Sequence, residues 1–127
     1  MPSPRDEFAH YCCELLTQAL GRPCALRRMF GGHGLSAEGL SFAFVIDQTL
    51  YLKTDDESEP HWLAEGCQPL LYEAKGKTVR LRFHTVPDEA LDSPPAMAPW
   101  AQSAWACAVR AQARAARKPA RPRARKG

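Results

Sequence analysis

The sequence predicts an α+β domain of two layers, with helices on one face of an antiparallel sheet and the element order α-β-β-β-α-β-β-α. Three observations carry this. Apolar residues recur at helical spacing near the N-terminus, alternate through the middle of the chain, and return to helical spacing near the end. Short turn-like connections join the alternating runs, which favours antiparallel neighbours. Strand groups framed by helices suit a layer of helices over a sheet.

The first helix is expected at about residues 4–20. Ser3 suits an N-cap, Pro4 the first helical position, and Asp6 the acid of a capping box. Phe8, Cys12, Leu15, Leu16 and Ala19 then form one apolar stripe, and Gly21 with Pro23 ends it. Ala25 to Phe30 reads as the first strand, closed by a Gly31-Gly32-His33-Gly34 turn that runs on through Ala37-Glu38-Gly39. Ser41 to Asp47 reads as the second, with Phe42, Phe44 and Ile46 on one face. Leu50 to Thr54 reads as the third, reached through Gln48-Thr49.

Asp55-Asp56-Glu57-Ser58-Glu59 ahead of Pro60 suits the start of a short second helix that Gly66 stops. Two strands follow, Leu70 to Glu73 and Thr78 to Val86, joined by Ala74 to Lys77. In the latter, Val79, Leu81 and Phe83 alternate with Arg80, Arg82 and His84, the pattern of one buried face and one wet face. After Val86-Pro87 and Ser93-Pro94-Pro95, the last helix places Trp100, Ala104, Cys107 and Ala108 on one side. Pro99 either lies in the first turn of a helix starting near Ala98 or kinks one starting near Pro94.

With 127 residues, 45% of them apolar, the chain has room for one domain that folds without metal or disulfide help. No apolar run approaches the ~20 residues of a membrane span, and Met1 to Glu7 lacks the apolar core of a signal peptide. The expected compartment is the cytoplasm. Five cysteines, an odd number without a C-x-x-C pair, read as reduced thiols that mostly serve as small buried groups.

The net charge of +3 conceals a division. All 14 acidic residues lie at or before Asp92, and seven cations with no acid follow from Arg114 onward, so the body carries −4 and the end of the chain +7. Residues 1–112 are expected to form the domain. Residues 113–127, rich in Arg, Ala and Pro, are expected to be a basic tail unable to offset its own ordering entropy.

Several patches resemble the TfoX N-terminal domain family of competence regulators over about residues 5–110. They are Arg28-Met29-Phe30-Gly31-Gly32 with Gly34-Leu35, Phe42-Ala43 leading through Asp47 to Leu50-Tyr51-Leu52-Lys53, and Asp55. Gly66, Pro69, Tyr72, Gly76-Lys77, Val86-Pro87, Leu91-Asp92 and Trp100 continue the series. The resemblance implies a secretion-chaperone-like two-layer fold and a link to transcriptional control of DNA-uptake genes. Full-length competence regulators carry a second, C-terminal domain where this chain has its basic tail. His33 and Pro99 depart from the family's pattern.

No catalytic residues and no cofactor are expected. The histidines His10, His33, His61 and His84 sit in surface-like contexts without paired-histidine spacing. The acids from Asp55 to Glu59 lack the alternating donors and mid-loop glycine of a calcium loop, which leaves a helix start facing its macrodipole, and no metal site is expected. Arg80, Arg82 and His84, with Arg27 near, read as a solvated basic strand face. A small anion or metabolite has one candidate site, Arg28, Gly31, Gly32, Lys53 and Lys77, if the fold brings them together. Nucleic acid has another, Arg114, Arg117, Lys118, Arg121, Arg123, Arg125 and Lys126, through counterion release. The alternative for that run is a solubilising end. The leading expectation is a non-enzymatic regulatory or interaction module, whose partners are a protein of a regulatory pathway, DNA or RNA at the tail, or a second copy of the chain, and not a membrane.

Overall fold

The computed structural model describes residues 4–29 and 31–117. Helix α1 (Pro4–Leu20) leads into strands β1 (Ala25–Met29), β2 (Gly32–Ala37), β3 (Leu40–Ile46) and β4 (Thr49–Lys53). Helix α2 (Glu59–Ala64), strands β5 (Pro69–Ala74) and β6 (Lys77–Thr85), a 3₁₀ turn (Asp88–Asp92) and helix α3 (Pro94–Arg117) complete the order. All strands join one antiparallel sheet in the order β1-β2-β3-β4-β6-β5. The α+β expectation holds, with one strand more than the sequence pattern resolves.

That extra strand is β2, which the glycines had suggested was turn. Gly32 and Gly34 are in a strand because neighbours come too close for a side chain. A Cβ on Gly32 would lie 2.2 Å from the Val45 carbonyl oxygen, and one on Gly34 would lie 2.8 Å from Met29 Sδ. The reversals fall elsewhere. Glu38-Gly39, Asp47-Gln48 and Lys75-Gly76 each hold two consecutive residues at positive φ, as type I′ hairpin turns require.

The ladder aligns Leu26, Leu35, Ala43, Leu52 and His84 across five strands on the face beneath the helices. Arg27, Gly34, Phe44, Tyr51 and Thr85 line up on the other face. In β3 the pairing steps from Ser36↔Ser41 to Leu35↔Ala43, so Phe42 is an extra residue, a β-bulge. The bulge corrects the expected Phe42-Phe44-Ile46 face. Phe42, Ala43 and Val45 are buried together, and Phe44 and Ile46 are half-buried.

The core lies between one sheet face and the helices. Helix α3 crosses β3 and β4 and packs on α1, with Met97, Ala101, Ala104, Cys107 and Ala108 turned inward. The small residues allow close approach. Ser93 caps α3, its carbonyl accepting from Met97 N–H at 3.0 Å and its hydroxyl from Ala96 N–H at 3.3 Å. The helix therefore starts at Pro94 and holds Pro99 within it. It continues through Arg117, past the boundary expected at residue 112. Trp62 of α2 is fully buried, edge-on to Trp100 at 4.8 Å, with its Nε1 donating to Ser103 Oγ at 3.2 Å.

Leu52 has no solvent-accessible surface, whereas Val109 on α3 is 43% exposed. Urea denaturation of Leu52→Ala should show a loss of about 2–5 kcal/mol. Val109→Ala should stay within about 0.5 kcal/mol of the parent chain.

Candidate functional site

Chemistry-bearing side chains gather where β4 ends, because β4 runs straight into the acidic segment and that segment faces both β6 and α3. Asp55 and Ser58 bond reciprocally, Ser58 N–H to Asp55 Oδ1 at 2.9 Å and Asp55 N–H to Ser58 Oγ at 3.0 Å. The exchange fixes the turn that enters α2. Asp55 also accepts two bonds from the Arg110 guanidinium of α3, at 2.9 and 3.0 Å, a bidentate geometry that is among the stronger ion pairs. Those bonds hold the Asp55 carboxyl well below the usual carboxylate range. Beside this pair opens a cavity of about 470 Å³ lined by Lys53, Thr54, Asp56, Glu57, Arg82, Cys107 and Arg114, among others. Its charges are mixed. Arg82 reaches Asp56 at 2.6 Å and Arg110 reaches Glu57 at 3.4 Å.

Behind the cavity, β6 presents Arg80, Arg82 and His84 to α2, where all three converge on Glu59. This corrects the expected strand pattern at His84 and Val79 and leaves Arg80 and Arg82 exposed as expected. His84 is fully buried. Arg80 and Arg82, on the same side of the strand, keep side chains 44% and 49% exposed, while across the strand Leu81 and Phe83 are half-buried and Val79 is exposed. The carboxylate largely withdrawn from water here is Glu59, and Arg80 and Arg82 supply the countercharge it needs. His84 Nδ1 lies 3.0 Å from the Thr54 hydroxyl. Its Nε2 is 3.1 Å from Glu59 Oε2, near enough for charge contact but off the line of a hydrogen bond. Burial, more than any neighbour, pushes the imidazole pKa down. A buried histidine among charges gives no sequence signal distinct from a surface one, so the pattern Arg-x-Arg-x-His was read as wet.

The acids expected simply to face a helix dipole are thus paired with Arg80, Arg82 and Arg110. Among the described residues, no group of three or more His, Cys, Asp or Glu has the arrangement of a metal site. Cys12, Cys67 and Cys107 are buried, Cys13 and Cys24 half-buried, and all five are free thiols. Burial pushes Cys12 up to about 12 and Cys107 up to about 11.

The residues proposed for an anion do not converge. Arg28 lies on the helix side of edge strand β1, bonded to Asp6 at 3.0 Å, as is His33 at 3.2 Å. Gly31 and Gly32 form the adjoining turn and strand start. Lys53 sits three strands away, roughly 14 Å across the ladder, on the opposite face with its Nζ 5.6 Å from the Phe83 ring centre. Lys77 opens β6 at its far end, roughly 20 Å along the strand from Phe83. Of these five only Lys53 lines the cavity. Arg27 faces away from Arg80, Arg82 and His84.

Of the nucleic-acid candidates, Arg114 is exposed on α3 and also lines the cavity, so it belongs to a helix and not to a tail. Arg117 is the last helical residue. Lys118, Arg121, Arg123, Arg125 and Lys126 lie outside the described residues. Among the described residues no helix is long and apolar enough to cross a membrane.

The family described as the TfoX N-terminal domain matches residues 14–108, most of the chain. No curated protein matches it. The chain belongs to the TfoX N-terminal domain family.

The lowered His84 pKa gives a definite pH dependence. An imidazole that resists protonation when folded leaves stability intact above its ordinary pKa of 6.5. Stability falls as the pH drops below that value toward the folded pKa, because the unfolded chain takes up the proton first. Urea midpoints measured between neutral and mildly acidic pH should decline for the parent chain. His84→Gln should flatten that decline.

Proposed function

We propose that this member of the TfoX N-terminal domain family is a non-enzymatic regulatory module that holds nucleic acid through its C-terminal cations, in the setting of transcriptional control of competence genes. The observation that carries the reading is the charge division along the chain, joined to the course of α3. The fourteen acids all precede α3. Arg114 and Arg117 lie on the closing turns of that helix, so the run that continues to Lys126 starts from a fixed point on the domain.

A run of cations without acids gains affinity for a polyanion by releasing its counterions. The competence setting rests on the family alone. A non-catalytic role is supported by the burial of the Thr54–His84 pair, where Thr54 is 2% exposed and His84 has no accessible surface. An imidazole closed to solvent is a poor general base for an outside substrate.

Duplex-DNA binding measured by fluorescence anisotropy over a salt series tests the tail. If all seven cations neutralise phosphates, log affinity against log salt has a slope of about −6. Replacing Lys118, Arg121, Arg123, Arg125 and Lys126 by Gln in the full chain should bring the slope to about −2. Equal slopes for the two proteins would remove the tail from the mechanism.

A further inference from the structure

We infer that the sheet face opposite the helices is a stacking surface for single-stranded nucleic acid, with Tyr51 and Phe83 as base platforms and Arg27, Lys53 and Lys77 as phosphate contacts. The inference rests on the nucleic-acid reading above and gives it a second site, separate from the tail.

The ring arrangement follows from the ladder. Phe44 and Tyr51 are paired across β3 and β4, which sets their Cβ atoms about 5 Å apart. Tyr51 pairs with Thr85 and Lys53 with Phe83, so Phe83 is the diagonal neighbour of Tyr51 on the next strand. The face is identified independently. Arg80, Arg82 and His84 all reach Glu59 beneath α2, so Phe83 between them points the other way. Lys53 Nζ stands over the Phe83 ring, placing both on the outer side. A Cβ on Gly34 would meet Met29 Sδ and, at 3.7 Å, Phe44 Cδ1. The Met29 side chain thus fills the space over Gly34, beside the Phe44 ring.

Charge selects the occupant. The ladder puts Arg27, Lys53 and Lys77 on this face, and the strands carry a single acid, Glu73. Glu73 alternates with Tyr72 and pairs with Thr78, on the helix side. The outer face of the strands therefore carries cations without an acid, with Lys53 beside the Phe83 ring and Arg27 and Lys77 farther out on either side. An apolar protein partner would have to bury those cations unpaired, at high cost. A polyanion with flat apolar bases meets both demands. Duplexes hide their bases from such rings, so the strand must be single. DNA and RNA share this chemistry.

The test uses the full chain with oligo-dT and oligo-U as separate probes. Tyr51→Leu with Phe83→Leu keeps the bulk and removes the π faces, and thermal unfolding reports whether the fold survives. Oligonucleotide affinity should fall at least tenfold with an unchanged salt slope, because stacking releases no counterions. Arg27→Gln with Lys53→Gln should instead make the slope shallower by about 1.4. Unchanged affinity of the folded aromatic variant would overturn the inference. Where that variant does not fold, amide shifts of the parent chain on adding oligo-dT decide. Shifts at Tyr51 and Phe83 support the sheet face, and shifts confined to residues beyond Arg114 overturn it. The tail variant separates the two readings. It should still bind oligo-dT by the sheet if only the tail reading is wrong, and lose that binding if the tail is the whole site.

Discussion

A six-stranded sheet covered by helices on one side only is the constraint from which most of this molecule follows. Helix α3 lies across β3 and β4, and its inward side is built from Ala101, Ala104, Cys107 and Ala108. Small side chains bring the helix near the strands. The large apolar volume then comes from the sheet and from the other helices: Leu35, Phe42, Leu50 and Leu52 from below, Leu16 and Trp62 from beside. Such a layer hides one face of each strand and leaves the other to find its own way of tolerating water.

The two faces solve their polar problems differently. On the covered side, His84 of β6 lies buried beside α2 with Arg80 and Arg82 exposed next to it, and one carboxylate, Glu59, answers all three. A second carboxylate, Asp55, ties the same region to α3 through Arg110. These pairs fix where α2 sits relative to α3 and β6, since a charge buried without its partner is far costlier than the pair itself is favourable. On the uncovered side the strands carry no acid beside Arg27, Lys53 and Lys77, and the rings of Phe44, Tyr51 and Phe83 stand among Ile46, Leu81 and Val79. One sheet thus carries an internally neutralised interior face and an unbalanced exterior one.

Much of this was legible in the sequence, and the misreadings have local causes. Helix α1 was plain because Pro4, the Phe8-to-Ala19 stripe and Gly21 agree, and the structure places it at Pro4–Leu20. The hairpin strands were plain wherever alternation and turn residues coincide. Strand β2 was missed because glycine signals both a turn and a close approach, and only the proximity of Val45 to Gly32 tells which applies. The bulge at Phe42 shifts the inward face by one residue, which no alternation count detects. In strand β6 the alternation misleads at His84, which is buried beneath Trp62 and Glu59 of α2, and at Val79, which is exposed, because what covers a strand end is a distant helix and not local polarity. The anion site failed for a similar reason: Arg28, Lys53 and Lys77 are ordered along the chain, but the ladder puts them on different strands and two faces.

The cysteines bring one further consequence. Cys12, Cys67 and Cys107 are at most 6% exposed, and burial raises the pKa of each, so an alkylating reagent meets neither an accessible sulfur nor a thiolate while the fold is closed. Their labelling rate therefore clocks transient openings of the interior, one sulfur beneath α1, one after α2 and one on α3. The half-buried Cys13 and Cys24 supply the comparison within the same polypeptide. The chain carries its own chemical stopwatch, with no probe to be engineered into it.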